Sequence, residues 1–300
     1  MRVTNSMMVK NMLDHLKNNM GDLNDLNEQL SSGKLFQMPS DAPIKVADSM
    51  NYKSQLNRNS QFQRNTNQAE NWLNTTETAL KNGTEVIQRA RELTIYASTD
   101  SVTSEDRQAI AKEVKELRDE LIDISRAKLG DSYIFSGQKT DSEPFSITEN
   151  ADGTIATLTY NGDNAPINRR LNENVQMDIN LNGEEVFKDE IQALDTLYGD
   201  LNSGTADGET ISNNSLDSMD TAIKKFTELR SESGGKLKRT GNLKSRLEAN
   251  EVHLKQLKSQ NEDADLAETI TNLKMEENVY RASLASGARI MQQSLVDFIR

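Results

Sequence analysis

Two apolar stripes at seven-residue spacing, one at each end of the chain, limit its fold more than any other feature. Near the N-terminus the positions are Val9, Leu13, Leu16, Met20, Leu23, Asn27 and Leu30, with Leu26 beside Asn27. Near the C-terminus they are Leu266, Ile270, Leu273, Glu277, Tyr280, Leu284, Gly287, Met291, Ser294 and Phe298, with Leu295 beside Ser294. Steps of four and three alternate along both. That alternation lays one stripe along a helix and calls for a partner helix. Chain ends fray unless something ties them down. Stripes placed there predict that the termini join each other, neighbouring subunits, or both.

Composition agrees with long, thin helical packing. The apolar fraction is 35% and the aromatic fraction 5%, against roughly 45–50% apolar in ordinary globular domains. Large buried cores are not expected. The four prolines among 300 residues leave room for long uninterrupted helices. The net charge of −12 argues against a nucleic-acid backbone as partner. A stretch of eighteen apolar residues is not found, so membrane insertion is not expected, and residues 1–20 do not read as a cleaved signal peptide. The absence of cysteine excludes disulfides, thiolate metal sites and cysteine nucleophiles.

Along the chain, residues 7–30 read as a first helix, broken by Gly33, Pro39 and Pro43. A second helical region follows from about 44 to 98, with Leu73, Leu80 and Ile87 at intervals of seven and Gly83 as a tolerated weak point. Thr103 or Ser104 can cap a third helix. Its apolar face is Ile110, Val114, Leu117, Leu121 and Ile124, and Gly130 is its stop. From about 131 the texture turns to strands: Tyr133–Phe135, then Phe145 and Ile147, then Ile155, Leu158 and Tyr160. Asp152–Gly153 and Asn161–Gly162 read as turns. Val175, Met177, Ile179 and Leu181 alternate at a period of two, and Asn182–Gly183 closes the run. Helical periodicity returns from about 186 to 202 and again over 211–258, where Gly234, Gly235 and Gly241 make 233–242 a possible joint or a weak helix. The last helix spans about 263–298.

The expected fold is mainly α: an elongated helical coiled-coil or bundle rod formed by the N- and C-terminal regions, with a small inserted β-rich domain. Its expected divisions are an N-terminal assembly helix and bend (1–43), a helical rod (44–130), the β-rich outer domain (131–190), a returning rod (191–262) and a C-terminal assembly helix (263–300). The inserted domain is expected to fold semi-independently around Tyr133, Phe135, Phe145 and Tyr160.

Several short stretches resemble the flagellin family of bacterial axial proteins. Near the N-terminus they are Met1–Asn5, Leu30–Lys34, Pro39–Pro43, Arg89–Leu93 and Ser104–Arg107. Near the C-terminus they are Asn278–Leu284 and the ending Ser294–Arg300. Within that family the chain is most similar to the hook–filament junction branch, the hook-associated proteins of type 3. The stretch Gly130–Gly137 with Thr140 and Pro144–Phe145 carries that likeness. So do Tyr160–Asp163 with Arg169 or Arg170 beyond, and Leu295–Phe298. Ala42 departs from the family, which often has a second acidic residue near that point. Flagellin itself is the alternative, and an unrelated helical binding adapter is a further one.

The resemblance implies a non-enzymatic structural adapter of the bacterial flagellum, joining the first hook-associated protein to the flagellin filament. It implies as partners a ring of copies of itself, the first hook-associated protein, flagellin and a flagellar export chaperone. It implies an extracellular location reached by type III export without a cleaved signal peptide. The assembly interface would then comprise Val9, Leu13, Leu16, Met20, Leu23, Leu30, Leu266, Ile270, Leu273, Tyr280, Leu284, Met291, Leu295 and Phe298. From periodicity alone, an intramolecular coiled coil explains the same residues.

Other signals are weaker. Asn27, Glu277 and Ser294 either set register within the stripes or face solvent. Met7, Met8, Met12 and Met20 crowd the first helix, as adaptable contacts or as ordinary core. The 31–43 segment is a simple connection, or a fixed bend seated against a neighbour. His15 and His253 stand alone, so no metal site is expected. Asn150–Ile155 reads as a hairpin turn because a calcium loop would put Thr148 where an acid belongs. Lys236, Lys238, Arg239, Lys244 and Arg246 lack interleaved aromatics and read as a solvated or charge-paired helix face. No phosphate loop or catalytic constellation is found, and no cofactor is expected.

Overall fold

A computed structural model describes residues 5–204 and 207–298, with side chains described for 7–204 and 207–289. The chain divides into two compact units. A terminal unit comprises Met1–Arg58 and Asn250–Arg300, and a central unit comprises Asn59–Ala249. The chain is mainly helical, with a small β-rich region in its middle.

The long helices follow the sequence periodicity closely. They are α1 (Asn5–Ser32), α2 (Pro43–Ala97), α3 (Ser104–Ser125), α4 (Gly183–Ser203), a short α5 (Gly208–Ile211), α6 (Asp217–Glu262) and α7 (Leu266–Phe298). A π-helical turn, Ser212–Leu216, leads into α6. Local chemistry sets the ends. Gly33 stops α1 with φ +69°, a conformation that costs glycine little. Pro43 opens α2, where its missing N–H is no loss. Thr103 caps α3 in a reciprocal box with Asp106: the Thr103 hydroxyl accepts from the Asp106 N–H and the Asp106 carboxylate accepts from the Thr103 N–H.

Among the described residues, six short strands pair as three separate antiparallel hairpins. They are β1 (Lys128–Leu129) with β2 (Ser132–Tyr133), β3 (Phe145–Glu149) with β4 (Ile155–Tyr160), and β5 (Asn168–Asn172) with β6 (Val175–Asp178). Phe145 pairs Tyr160 at the open end of the middle hairpin. Its turn is at Gly153, φ +86°, where Asp152 accepts from the Thr154 N–H.

The hairpins do not enclose a core of their own, which corrects the expectation of a semi-independent module. Phe135 and Phe145 are fully buried, in one cluster with Leu80 and Ile87 of α2, Leu121 of α3, Phe187 of α4 and Phe226 of α6. Phe135 meets Phe187 edge-on at 4.8 Å, and Phe187 meets Phe226 at 5.7 Å. Tyr133 lies apart and half-exposed, with the Lys128 ammonium 4.2 Å from its ring centre. Three hairpins that each expose both edges have too little face to bury one another, so they bury against helices instead.

Arg118 fastens the middle hairpin. Its side chain is wholly buried and donates to Glu149 (2.5 Å), to the Gly153 carbonyl (2.8 Å), to Asp195 (2.7 Å) and to Asp119 (2.9 Å). Asp195 also accepts from the Ile155 N–H at 3.0 Å, and the Tyr198 hydroxyl donates to the Asp152 carbonyl at 2.8 Å. A buried guanidinium persists only with its donors satisfied. Tyr160 is half-buried. Its hydroxyl donates to the Phe135 carbonyl at 2.8 Å, and burial pushes its pKa up to about 12.

One glycine expectation is overturned and a second is decided between its two alternatives. Asn182–Gly183 does not close a strand run but starts α4. The Asn182 side chain accepts from the Glu184 N–H at 3.0 Å, while the Gly183 N–H donates to the Phe135 carbonyl at 3.1 Å. Of the two readings of the Gly234, Gly235 and Gly241 segment, the helix holds: α6 runs through it unbroken. Each glycine costs a helix about 1 kcal/mol. Buried Leu243, the Lys244–Glu70 pair to α2 at 2.9 Å and the Lys236–Glu232 pair offset that cost. The basic run is thus partly charge-paired along and across helices.

Candidate assembly surface

In the terminal unit α1 packs antiparallel on α7. Asn19 donates to the Ser283 hydroxyl at 3.2 Å, and Met12 lies where a Cβ on Gly287 would sit. At the other end the Ala264 N–H donates to the Gly33 carbonyl at 2.9 Å. Gly287 is buried.

The seam reads each helix in a particular register. At about 100° per residue, positions three and four after a reference residue lie on opposite sides of it. In α1 the reference column is Val9, Leu16, Leu23 and Leu30, all half-buried. Its three-step neighbours Met12, Asn19 and Leu26 are also half-buried, but its four-step neighbours face out: Leu13 is 60% exposed and Met20 54%. Asn27 is exposed too, donating to the Leu23 carbonyl of its own helix.

The same division occurs in α7. The reference column is Leu266, Leu273, Tyr280 and Gly287. Leu273 and Gly287 are buried and Tyr280 is half-buried, while Leu266, at the helix start, is 49% exposed. The three-step positions turn inward: Thr269 buried, Glu276 and Ser283 half-buried. Among the four-step positions Ile270 and Leu284 are 46% and 45% exposed, while Glu277 is half-buried and pairs with Lys274 at 3.0 Å. The intrachain seam therefore takes in Met12, Asn19 and Leu26 from α1 and a polar column, Thr269, Glu276 and Ser283, from α7. The apolar column of Leu13, Met20, Ile270 and Leu284 has no cover within the described chain.

Met12, Asn19, Leu26, Thr269, Glu276 and Ser283 were not among the expected interface residues. The three-step column was equally readable in the sequence: on α7 its polar residues make it the poorer stripe, while on α1 Met12, Asn19 and Leu26 match Leu13, Met20 and Asn27 in character. Met291, Leu295 and Phe298, together with Ser294, lie outside the residues whose side chains are described.

The bend after α1 is a built structure. Asp41 accepts from the N–H groups of Met38 (2.9 Å) and Gln37 (3.3 Å) and from the Ser40 hydroxyl (2.9 Å), and these bonds, led by that to Met38, hold its pKa below the usual range. Lys34 bridges Asp263, and the Leu35 N–H donates to the Glu262 carbonyl at 2.7 Å. The buried Glu262 carboxylate accepts from Lys34 and Lys53, each at 2.9 Å, and from Ser49. Lys258 lies at 3.8 Å. Burial pushes the Glu262 carboxyl up, but the lysines outweigh it and the net shift is downward. Phe36, Val46 and Met50 line a cleft beside this clamp.

Among the described residues no group of three or more His, Asp or Glu side chains is placed to hold a metal ion. None of the described helices is long and apolar enough to cross a membrane.

These features define a class: mainly helical chains whose N- and C-terminal helices pair, with a small β-rich region between. The chain belongs to the bacterial flagellin family. Residues 3–140 match the bacterial flagellin N-terminal helical region, and residues 216–299 match the C-terminal helical region. A curated relative, flagellar hook-associated protein 3 of Salmonella typhimurium, is 28% identical over 62% of this chain and 57% of its own length. The match thus spans little more than half of that relative. Flagellin FlaB1 of Treponema pallidum is 24% identical over 91% of each chain. The crystal structure of Bacillus cereus FlgL aligns with TM-score 0.59 at 22% identity, covering 70% of this chain and 99% of that one. That likeness bears on the fold.

Proposed function

We propose that this protein is a structural adapter subunit of the bacterial flagellum, standing at the junction of hook and filament. The observation that carries the reading is the division of columns in the terminal unit. The chain turns Met12, Asn19 and Leu26 of α1 and the polar Thr269, Glu276 and Ser283 of α7 toward its own seam and leaves Leu13, Met20, Ile270 and Leu284 outward. Exposed apolar columns of this kind mark interaction sites. In this reading they take neighbouring subunits. The hook-associated relative supports the junction position. Copies of the same chain, the first hook-associated protein and flagellin would be the neighbours. A flagellar export chaperone would accompany the subunit before it leaves the cell by the type III route.

Flagellin is the second reading, favoured by the longer match to the Treponema protein. Deletion of the gene separates them under the electron microscope. A junction subunit predicts intact hooks that bear no filaments while filament protein is shed into the medium. Loss of the filament protein itself, with the hook complete and capped, favours flagellin. Normal attached filaments overturn both readings.

A further inference from the structure

The methionines of this chain are distributed unevenly between its two units. In the terminal unit Met7, Met8, Met20, Met38, Met50 and Met275 are between 43% and 64% exposed. In the central unit Met177 and Met219 are 5% and 1% exposed. The chain has no cysteine, so no thiol competes for a two-electron oxidant and the thioethers are its most readily oxidised groups. Met20 stands seven residues after Leu13 in the outward column of α1.

We propose that Met20, in the outward column of α1, is an oxidation site that controls assembly: peroxide acting on the free subunit blocks its incorporation, and an incorporated subunit is shielded. This rests on the assembly reading above. In the step, a sulfur lone pair attacks one peroxide oxygen and the O–O bond breaks. The sulfur is oxidised to the sulfoxide and the peroxide is reduced to water, so one oxygen is gained per methionine. A flexible apolar side chain thereby becomes a polar one carrying a strong acceptor. Placed in an apolar seam, that oxygen loses its water without gaining a donor. Leucine at the same position keeps the shape and apolar character and cannot be oxidised in this way.

The test uses purified full-length protein, with and without prior hydrogen peroxide, added to cells that lack the gene. Incorporated protein and restored filaments are counted. Peptide mass spectrometry locates the added oxygens. Oxygen is expected at Met20 and not at Met177 or Met219. Incorporation of the oxidised wild type should fall about tenfold, and a methionine sulfoxide reductase should restore it. The Met20→Leu variant should incorporate equally with and without peroxide. Undiminished incorporation of the oxidised wild type overturns the proposal. So does an equal peroxide-dependent loss in the variant, or oxidation of Met177 and Met219 as fast as Met20. If untreated protein and untreated variant both fail to incorporate, the assembly reading itself fails, and it does so in the arms that contain no oxidant.

Discussion

Gly83 shows how one residue can be read correctly in type and wrongly in role. In sequence it is a weak point inside a helix. In the structure a Cβ there would lie 2.6 Å from Cε1 of Phe226, a fully buried ring held edge-on by Phe187. Gly83→Ala should therefore destabilise the central unit. The gain in helix propensity, about 1 kcal/mol, is smaller than the ~1–3 kcal/mol of overpacking against a fixed ring. Urea unfolding checks the sign, and a more stable variant would show that Phe226 can move aside. Arg118 was not legible at all. It sits one position from Leu117 on a charged helix, and nothing local says that a hairpin more than thirty residues onward will fold over it to supply carboxylates. Asp152–Gly153 was legible because a tight turn requires only its own residues.

At the scale of elements, the Glu262 clamp joins the α1–α2 bend to the break between α6 and α7. Its carboxyl has a pKa below the unfolded value, so the charged form is the one the fold favours. The clamp's contribution is complete above the unfolded value and is lost as pH falls through the lower folded one. Glu262→Gln should loosen the bend at neutral pH by about 1–2 kcal/mol, since Lys34 and Lys53 remain hydrated and only part of a buried charged hydrogen-bond network is lost. Hydrogen exchange at the Leu35 and Ala264 amides reads it directly. Exchange should speed by about 5–30-fold at neutral pH, and the difference between wild type and variant should shrink under acid. Equal protection in both at neutral pH would remove the clamp from the account. Helix positions were predicted well because each helix announces itself by period and cap. The three hairpins were predicted as strands and turns, but their pairing into separate ribbons with a shared helical core depends on residues far away in sequence.

For the whole molecule, the proposed assembly surface and the intrachain seam fall on different columns of the same two helices. Leu284→Asp puts a charge on an exposed face, so the circular dichroism of the purified protein should match wild type while incorporation into flagella is lost. Leu273→Asp puts the charge into the α1–α7 seam, where Leu273 is 7% exposed, at a cost of several kcal/mol in order of magnitude. It should lower helix content before assembly is tested. A Leu284→Asp chain that incorporates normally would show that the outward column is not the interface. Sequence by itself determined that both ends are helices with seven-residue stripes, that a β-rich stretch interrupts the helical chain, and that the chain resembles the flagellin family, because period, caps and short motifs are local properties. Only tertiary structure decided which side of each stripe is spent inside the chain. Positions three and four beyond Val9, Leu16 and Leu23 are equally neighbours of that column on an isolated helix, and a single partner helix can cover just one of them. The partner took Met12, Asn19 and Leu26, and left Leu13 and Met20 facing outward.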